Sequence, residues 1–237
     1  MYNSKTLAKM IDHSILHPTM TDQDLVDSCN LAAKYHVASV CVKPYAVKKA
    51  NELMKNTGVA VGAVIGFPHG NSSSEVKVFE TEMAILDGAT EIDMVINIGK
   101  ALGGDWNYIE AEIGRIVRLT KKHNAILKVI FENDFMPDDE HKIKLCRICS
   151  QLKVEYVKTS TGYGFVKGQD GKYTYHGATE HDVELMRKNS DPDVGVKAAG
   201  GIRTLDEMLK MVEKGATRIG ATATKAILEE AVMRFGK

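Results

Sequence analysis

The sequence carries no net charge, because its 31 lysine and arginine residues are balanced by 31 aspartate and glutamate residues. Attraction to nucleic acid or to an acidic membrane surface depends on a broad positive field, which a balanced chain does not generate. We therefore expect neither nucleic acid nor a membrane as a partner. A phosphate group remains compatible with this balance, since a few backbone N–H groups can hold it locally.

Long apolar segments and a disulfide framework are also absent. No apolar run is long enough to cross a bilayer, and residues 1–5 contain no apolar signal core. The four cysteines, Cys29, Cys41, Cys146 and Cys149, suggest no disulfide framework, so a cytoplasmic protein is expected. Cys146 and Cys149 form a C-x-x-C, but the helical apolar periodicity around them favours a buried pair over a redox or metal site.

Short β-rich runs alternate with longer amphipathic runs, with no linker between them. Residues 1–237 are therefore expected to form a single α/β domain, and eight βα units match a TIM (β/α)8 barrel of typically about 250 residues. A doubly wound open sheet fits the periodicity about equally well. Thr21 with Asp24 has the pattern of a capping box, and Pro137 is predicted at a first helical position. The strand candidates are 10–13, 39–42, 60–65, 91–96, 126–131, 156–158, 195–198 and 218–220, and the helix candidates are 22–35, 45–55, 74–86, 106–123, 138–152, 180–188, 205–213 and 225–235.

Six of the predicted strands contain a charged or thiol side chain near the following loop, although buried parallel strands should be almost continuously apolar. Alternate residues of a barrel strand point inward, and the C-terminal strand ends surround one active site. One such charge alone more often reaches solvent, but six favour an inward-facing ring, provided that the strand register is right. The six residues are Asp12, Cys41, Asp93, Lys128, Lys158 and Lys197.

Two lysines of this ring, Lys158 and Lys197, stand on neighbouring predicted strands. An ordinary lysine is protonated at neutral pH and cannot attack a carbonyl group. A second cation or partial desolvation favours the neutral amine, which is a nucleophile. The pair therefore indicates Schiff-base chemistry, with Asp93 available to move protons through a bound water and Asp12 to hold the cationic partner.

A phosphate site is predicted in the loops that follow the seventh and eighth strands. Residues 199–202 contain Gly200 and Gly201, and residues 220–224 contain Thr222. Glycine allows close backbone approach, and a following helix N-terminus presents free N–H groups to an anion. Each motif alone is more often a plain connection, but barrel enzymes frequently bind phosphate in these two loops.

These residues resemble the deoxyribose-phosphate aldolase family over nearly the whole chain. The most specific segments are K-T-S-T-G at 158–162 and K-A-A-G-G-I-R at 197–203, with similar segments in family order at 11–13, 39–42, 65–70, 91–95 and 127–130. The resemblance implies a TIM barrel and reversible cleavage of 2-deoxyribose 5-phosphate into glyceraldehyde 3-phosphate and acetaldehyde.

The resemblance also implies roles for individual residues. Lys158 would form the imine, Lys197 would perturb its pKa, and Asp93 would take part in proton transfer. The protonated imine is itself the electron sink, so neither a metal nor another cofactor is expected. Thr161 would contact a substrate hydroxyl, and two glycines and Thr222 would hold the phosphate. The substrate-binding residues expected in all are Asp12, Cys41, Lys128, Thr161, Gly200, Gly201 and Thr222, with a small core thiol as the alternative for Cys41.

Three departures from the family pattern concern the substrate and the proton shuttle. Residues 163–179 form a longer loop than the common one, and its Gln-Asp-Gly-Lys turn predicts a small hairpin that covers the pocket or lies on its rim. Thr222 and Ala223 stand where phosphate-binding members often have serines. Some members use a tyrosine near the C-terminus, whereas this chain has none after Tyr175.

Three other functions stay open at this point. One is a Schiff-base aldolase for a different small sugar phosphate. Another is a metal-dependent aldolase or hydrolase, although the eight histidines form no convincing ligand motif. The third is a noncatalytic sugar-phosphate sensor, which has little need of the pair Lys158 and Lys197. A homo-oligomer is compatible with the fold, because barrel helices can supply an interface.

Overall fold

The short apolar runs form a closed parallel barrel in the computed structural model, which describes residues 2–236. Around the barrel the strand order is β1-β10-β9-β6-β5-β4-β3-β2, and β2 pairs with β1 to close it. The TIM-barrel prediction is confirmed, and the open sheet is excluded. The strands are β1 (Ile11–Ile15), β2 (Ser39–Val42), β3 (Ala60–Ile65), β4 (Glu91–Val95), β5 (Ile126–Ile130), β6 (Tyr156–Lys158), β7 (Val166–Lys167), β8 (Tyr173–Thr174), β9 (Gly195–Ala199) and β10 (Arg218–Ala221).

Helices surround the barrel, and a long helix follows each of its strands. They are α1 (Ser4–Ala8), α2 (Asp22–Tyr35), α3 (Val47–Met54), α4 (Ser74–Leu86), α5 (Ile98–Leu102), α6 (Trp106–Lys122), α7 (Asp139–Gln151), α8 (Glu180–Asn189), α9 (Leu205–Glu213) and α10 (Thr224–Phe235). Short 3-10 turns cover Pro44–Ala46 and Asn133–Phe135. No helix among residues 2–236 combines the length and apolar character needed to span a bilayer.

Two predicted helix starts have different outcomes. The capping box at α2 is confirmed, because Thr21 accepts the N–H of Asp24 and the Asp24 carboxylate accepts the N–H of Thr21. The prediction for Pro137 is wrong, since α7 begins two residues later. The carboxylate of Asp138 accepts the N–H of His141 at 3.1 Å and thereby fixes the start of that helix.

The main apolar core lies between the barrel strands and the helices, whereas the barrel interior is polar. Alternation along a strand separates the two regions. On β5, Leu127 and Val129 belong to the main core, and Lys128 between them forms ion pairs with residues of other strands. On β4, Ile92 and Met94 pack in the same core.

The loop after β6 contains the predicted hairpin. Val166 of β7 pairs with Thr174 of β8 in an antiparallel ladder, which confirms that prediction. The turn is closed by Gly168, whose N–H donates to the carbonyl of Lys172 at 2.7 Å. Its base is anchored because the N–H groups of His176 and Gly177 donate to the two carboxylate oxygens of Asp134 at 2.7 and 3.0 Å.

Candidate active site

Strand register brings the candidate residues side by side inside the barrel. Lys158 of β6 is in register with Lys197 of β9, and Asp93 of β4 is in register with Lys128 of β5. Residues in register on neighbouring parallel strands point to the same face of the sheet. The six side chains predicted to point inward are all buried, and their polar groups contact one another.

Asp93 connects the two lysines. Its Oδ2 atom accepts hydrogen bonds from Lys158 Nζ and Lys197 Nζ, both at 2.7 Å. Cys41 Sγ donates to the same oxygen at 3.8 Å. The other oxygen, Oδ1, is buried and accepts no hydrogen bond from residues 2–236, although Lys128 Nζ lies 3.2 Å away. One carboxylate therefore fixes both amines and retains a free acceptor.

Asp12 contacts three cations deeper in the barrel, two of which also lie beside Asp93. Its carboxylate oxygens lie 2.7 Å from Lys128 Nζ, 2.5 Å from Lys197 Nζ and 2.6 Å from the Arg218 guanidinium. Glu91 lies 2.5 Å from Lys128 and 3.2 Å from Arg218. We refer to all these ionisable residues as the buried charge cluster: Asp12, Glu91, Asp93, Lys128, Lys158, Lys197 and Arg218.

Sequence reasoning missed two members of the cluster, Glu91 and Arg218. Period-two alternation was a signal that could have found Glu91, because it precedes the inward-facing Asp93 by two residues. Arg218 opens β10 in register with Lys197. Its guanidinium also stacks 5.4 Å from the ring centroid of Tyr156, a cation–π contact that supplements its ion pairs.

The charge balance of the cluster singles out Lys158. Three carboxylates face four basic groups, and Lys158 contacts only one of these carboxylates, Asp93. Burial lowers the pKa of Lys158 and the neighbouring ammonium of Lys197 lowers it further, while Asp93 opposes both effects. Burial alone would also lower the pKa of Lys197, but Asp12 and Asp93 raise it. Lys158 is therefore the amine that gives up its proton most readily.

The two carboxylates at the centre stay ionised. Burial would raise the pKa of Asp93, but Lys128, Lys158 and Lys197 hold it well below its usual range. The same competition lowers the pKa of Asp12, with Lys128 as the largest favourable contribution. Neighbouring cations thus outweigh desolvation at both sites.

A cavity of about 760 Å³ opens above Lys158. Four of the predicted substrate-binding residues line it: Thr161, Gly200, Gly201 and Thr222. Asp12, Cys41 and Lys128 do not line it, and a substrate contact by these three residues remains a prediction. They lie within the barrel strands rather than at the strand ends, and Asp12 and Lys128 are occupied by ion pairs. The predicted ring is therefore a lower layer that supports one accessible lysine.

Glu132 is a further buried group that sequence reasoning missed. Its carboxylate accepts the backbone N–H of Thr161 at 3.2 Å and a short hydrogen bond from the Thr161 hydroxyl. Burial raises the pKa of Glu132 to about 7, against the opposing hydrogen bonds from Thr161. Glu132 also has a left-handed backbone with φ of 57°, an uncommon conformation for a residue with a side chain.

The far end of the cavity suits an anion. Gly200 and Gly201 both have positive φ, at 97° and 81°, so the backbone turns tightly there. Helix α10 begins beside Thr222, and its N-cap residue, Ala223, makes no side-chain capping bond. The Arg203 side chain also lines the cavity and forms no ion pair with any described residue. Free helix N–H groups and an unpaired guanidinium are both suited to phosphate.

A separate group of metal-ligand types consists of Asp139, His181 and Asp182. Lys142 already serves both carboxylates, with Nζ 2.6 Å from Asp182 and 3.3 Å from Asp139. None of these residues lines the cavity above Lys158.

A parallel barrel with ionised carboxylates fixing amines beneath an open cavity defines a TIM-barrel enzyme. A model described as DeoC/LacD family aldolase matches residues 6–230, and the chain belongs to this family of aldolases, which are lyases. Deoxyribose-phosphate aldolase of Rhodopirellula baltica is 46% identical over 235 residues, which are 99% of this chain and 93% of that protein. The enzyme of the same name from Thermococcus gammatolerans is 44% identical, covering 95% and 96% of the two chains.

A solved structure shows the same architecture. The tetrameric deoxyribose phosphate aldolase of Aeropyrum pernix superposes with a TM-score of 0.85 at 31% sequence identity. The match covers 96% of this chain and 91% of that one. The barrel is therefore the architecture of a solved aldolase as well as of this chain.

Proposed function

We propose that residues 1–237 act as one catalytic domain that reversibly cleaves 2-deoxy-D-ribose 5-phosphate to D-glyceraldehyde 3-phosphate and acetaldehyde through a Schiff base on Lys158. The observation that carries this proposal is the position of Lys158. It is the one member of the buried charge cluster that lines the cavity, and burial with a neighbouring cation lowers its pKa.

The chemistry begins when neutral Lys158 Nζ adds to the C1 aldehyde, after which one proton is taken up and water is lost, giving an iminium ion. Removal of the C3 hydroxyl proton then breaks the C2–C3 bond. The electron pair of that bond enters the iminium system as an enamine, and glyceraldehyde 3-phosphate leaves. Protonation at C2 and hydrolysis of the imine release acetaldehyde and regenerate the amine. None of these steps requires an oxidant or a reductant.

Asp93 and Lys197 support these reaction steps from inside the barrel, beneath the cavity. Asp93 has one oxygen bound by both lysines and another, Oδ1, that accepts no hydrogen bond from residues 2–236. That free acceptor suits proton transfer through a bound water. Lys197 supplies the positive charge that keeps the Lys158 amine neutral, and Asp12 holds Lys197 in place at 2.5 Å.

The phosphate of the substrate would occupy the end of the cavity lined by Gly200, Gly201, Arg203 and Thr222. Backbone N–H groups and one guanidinium provide the donors. A phosphorylated sugar is therefore the class of substrate that suits both ends of the cavity. Thr161, between these ends, would contact a hydroxyl of the sugar.

Trapping of the covalent intermediate tests the proposal. Sodium borohydride added during turnover of deoxyribose 5-phosphate should reduce the imine, and peptide mass mapping should place the adduct on Lys158. Lys158→Arg keeps the charge but should abolish both labelling and cleavage. Lys153→Arg is the matched control, because that lysine is exposed on the surface and should leave both unchanged. An adduct on another residue, or activity that survives Lys158→Arg, contradicts the mechanism.

A substrate panel separates the proposed reaction from that of a related aldolase. Cleavage of deoxyribose 5-phosphate should exceed cleavage of other small sugar phosphates by a wide margin. Labelling of Lys158 by a different sugar phosphate, with negligible activity on deoxyribose 5-phosphate, would keep the lysine chemistry and reject the substrate. Binding of sugar phosphates without any turnover would favour a sensor instead.

We also propose that the chain forms a homo-oligomer. The outer face of α4 exposes Phe79, Met83 and Leu86, with exposed fractions of 64%, 43% and 68%. Apolar side chains grouped on one helix face commonly mark a contact with another protein surface. Light scattering after size exclusion measures the assembly directly, and a monomer at all concentrations would reject the proposal.

A further inference from the structure

The hairpin after β6 brings a tyrosine hydroxyl to the wall of the cavity, and no step of the proposed reaction uses this group. Tyr175 follows β8 and lines the cavity together with Lys158 and Gly200. Its ring packs 5.5 Å from that of Phe165 on the other side of the hairpin, which fixes the direction of the side chain. The loop that departs from the common family pattern thus contributes directly to the cavity wall.

The hydroxyl of Tyr175 is buried and has no hydrogen-bond partner among residues 2–236. Buried hydroxyl groups are nearly always paired, so an unpaired one requires an explanation. The two acidic groups that act on this hydroxyl are already engaged. Asp134 accepts the N–H groups of His176 and Gly177, and Glu132 accepts the backbone N–H and the hydroxyl of Thr161. The phenol therefore retains both its donor and its acceptor capacity for a ligand.

Three glycines leave room for this hydroxyl. A Cβ atom at Gly200 would lie 2.0 Å from the Tyr175 oxygen, one at Gly177 would lie 2.7 Å away, and one at Gly162 would lie 3.8 Å away. All three have positive φ. The oxygen consequently sits between the loop after β6 and the Gly200-Gly201 loop, beside the proposed phosphate position.

The electrostatic surroundings suit a donor to an anion. Burial raises the pKa of Tyr175, and Asp134 and Glu132 raise it further, so the phenol stays protonated. Arg203 lines the same cavity as Tyr175, and its positive charge lowers the pKa of the phenol against these effects. A neutral O–H donor and an unpaired guanidinium at the same end of a cavity are complementary to phosphate oxygens.

We propose that the Tyr175 hydroxyl donates a hydrogen bond to the phosphate group of the substrate and thereby selects phosphorylated over unphosphorylated sugars. This assignment rests on the proposed function, since it uses the same cavity and the same substrate. It adds a specificity determinant that the hairpin brings to the site, beyond the backbone loops after β9 and β10.

The test is Tyr175→Phe, which removes the hydroxyl and keeps the ring. For deoxyribose 5-phosphate, KM should rise about tenfold with kcat changed less than about twofold, as for a lost hydrogen bond to a charged group. For unphosphorylated deoxyribose, kcat/KM should stay unchanged. Tyr173→Phe is the matched control on the same hairpin, because Tyr173 is 65% exposed and does not line the cavity.

Each outcome decides the assignment. An equal loss on both sugars means that Tyr175 only supports the shape of the site, and unchanged KM for the phosphorylated sugar also overturns the proposal. Binding of inorganic phosphate, measured by calorimetry on wild type and Tyr175→Phe, separates this inference from the proposed reaction. Weaker phosphate binding in the variant supports the role of Tyr175 even if the wild type cleaves no deoxyribose 5-phosphate. Equal phosphate binding in both proteins rejects it.

Discussion

The carboxylate of Glu132 holds Thr161 by both its backbone N–H and its hydroxyl, and so links the end of β5 to the loop after Lys158. Because burial raises the pKa of Glu132 to about 7, this carboxyl group keeps its proton in the folded protein at pH values where an unfolded chain has lost it. The link between the two residues therefore depends on pH in the physiological range.

Replacing Glu132 by glutamine should change the dependence of stability on pH. A folded pKa above the ordinary value stabilises the folded state at low pH, and that contribution is lost as pH rises through about 7. From pH 4.5 to 8 the loss amounts to about 3 kcal/mol. Urea unfolding of Glu132→Gln at pH 5, 6.5 and 8 should show a flatter profile than wild type. Glu110→Gln, at an exposed position, is the control, and an unchanged slope in Glu132→Gln would refute the prediction.

Lys197→Met should shift the acid limb of the pH profile of kcat/KM to higher pH. The ammonium of Lys197 lowers the pKa of Lys158, so its removal leaves Lys158 protonated over a wider range. At pH 7 we expect kcat/KM to fall on the order of 100-fold. Lys128→Met removes another cation of the cluster that does not contact Lys158, and should move the profile less. Equal shifts in the two variants would argue against a direct effect of Lys197.

Arg218→Leu should destabilise the protein strongly. The substitution leaves Asp12 and Glu91 with one cation fewer inside the barrel. Removing one partner of a buried ion pair typically costs about 3–5 kcal/mol, since the remaining charge stays buried. Urea denaturation measures the change. Lys49→Leu breaks an exposed pair with Glu52 and should leave stability close to that of wild type, so similar losses in both variants would count against the prediction.

Gly200→Ala should lower both stability and activity, because its Cβ would lie 2.0 Å from the Tyr175 oxygen and φ is 97°. We expect a loss of about 1–3 kcal/mol from the backbone strain alone. Gly171→Ala has a similar φ of 79° with open space around it, so it reports strain without the clash. Combining Gly200→Ala with Tyr175→Phe should recover part of the loss in thermal unfolding. Strictly additive effects would show that the two residues do not interfere.

The thiols should be unreactive in the folded protein. All four cysteines are buried, and burial raises the pKa of Cys41 to about 11. A thiolate is the reactive form, so native protein should react with an aromatic disulfide reagent only slowly at pH 8, and urea should expose all four thiols. Rapid stoichiometric labelling of Cys41 would contradict its description as a closed interior group.

Much of the fold was predictable because its signals are local. Apolar runs with regular helical patterns between them located all eight barrel strands within two residues at each end. Lys158 and Lys197 stand out in the sequence because a lysine inside an apolar strand contradicts the expected pattern. They are predicted to be neighbours because their strands are adjacent in the predicted barrel. Their register in the barrel agrees with that interpretation.

The remaining features depend on how far each residue lies along the barrel axis and on loop paths. Asp12 was expected near the barrel mouth, yet it is the second residue of β1 and lies in the supporting layer. Glu132 and Tyr175 follow strands in irregular segments, where no periodicity assigns a direction to a side chain. The hairpin could be predicted from its turn, but the position of the Tyr175 hydroxyl depends on tertiary contacts with Gly200.

The ion pair between Asp12 and Arg218 joins residues 206 positions apart, on the first and last strands of the barrel. Contacts over such separations form late, because the closure entropy of the intervening chain must be overcome first. A nascent chain that lacks β10 leaves Asp12 without its arginine and the barrel open between β1 and β9. The chemical centre is therefore incomplete until the last strand has been synthesised and has closed the barrel.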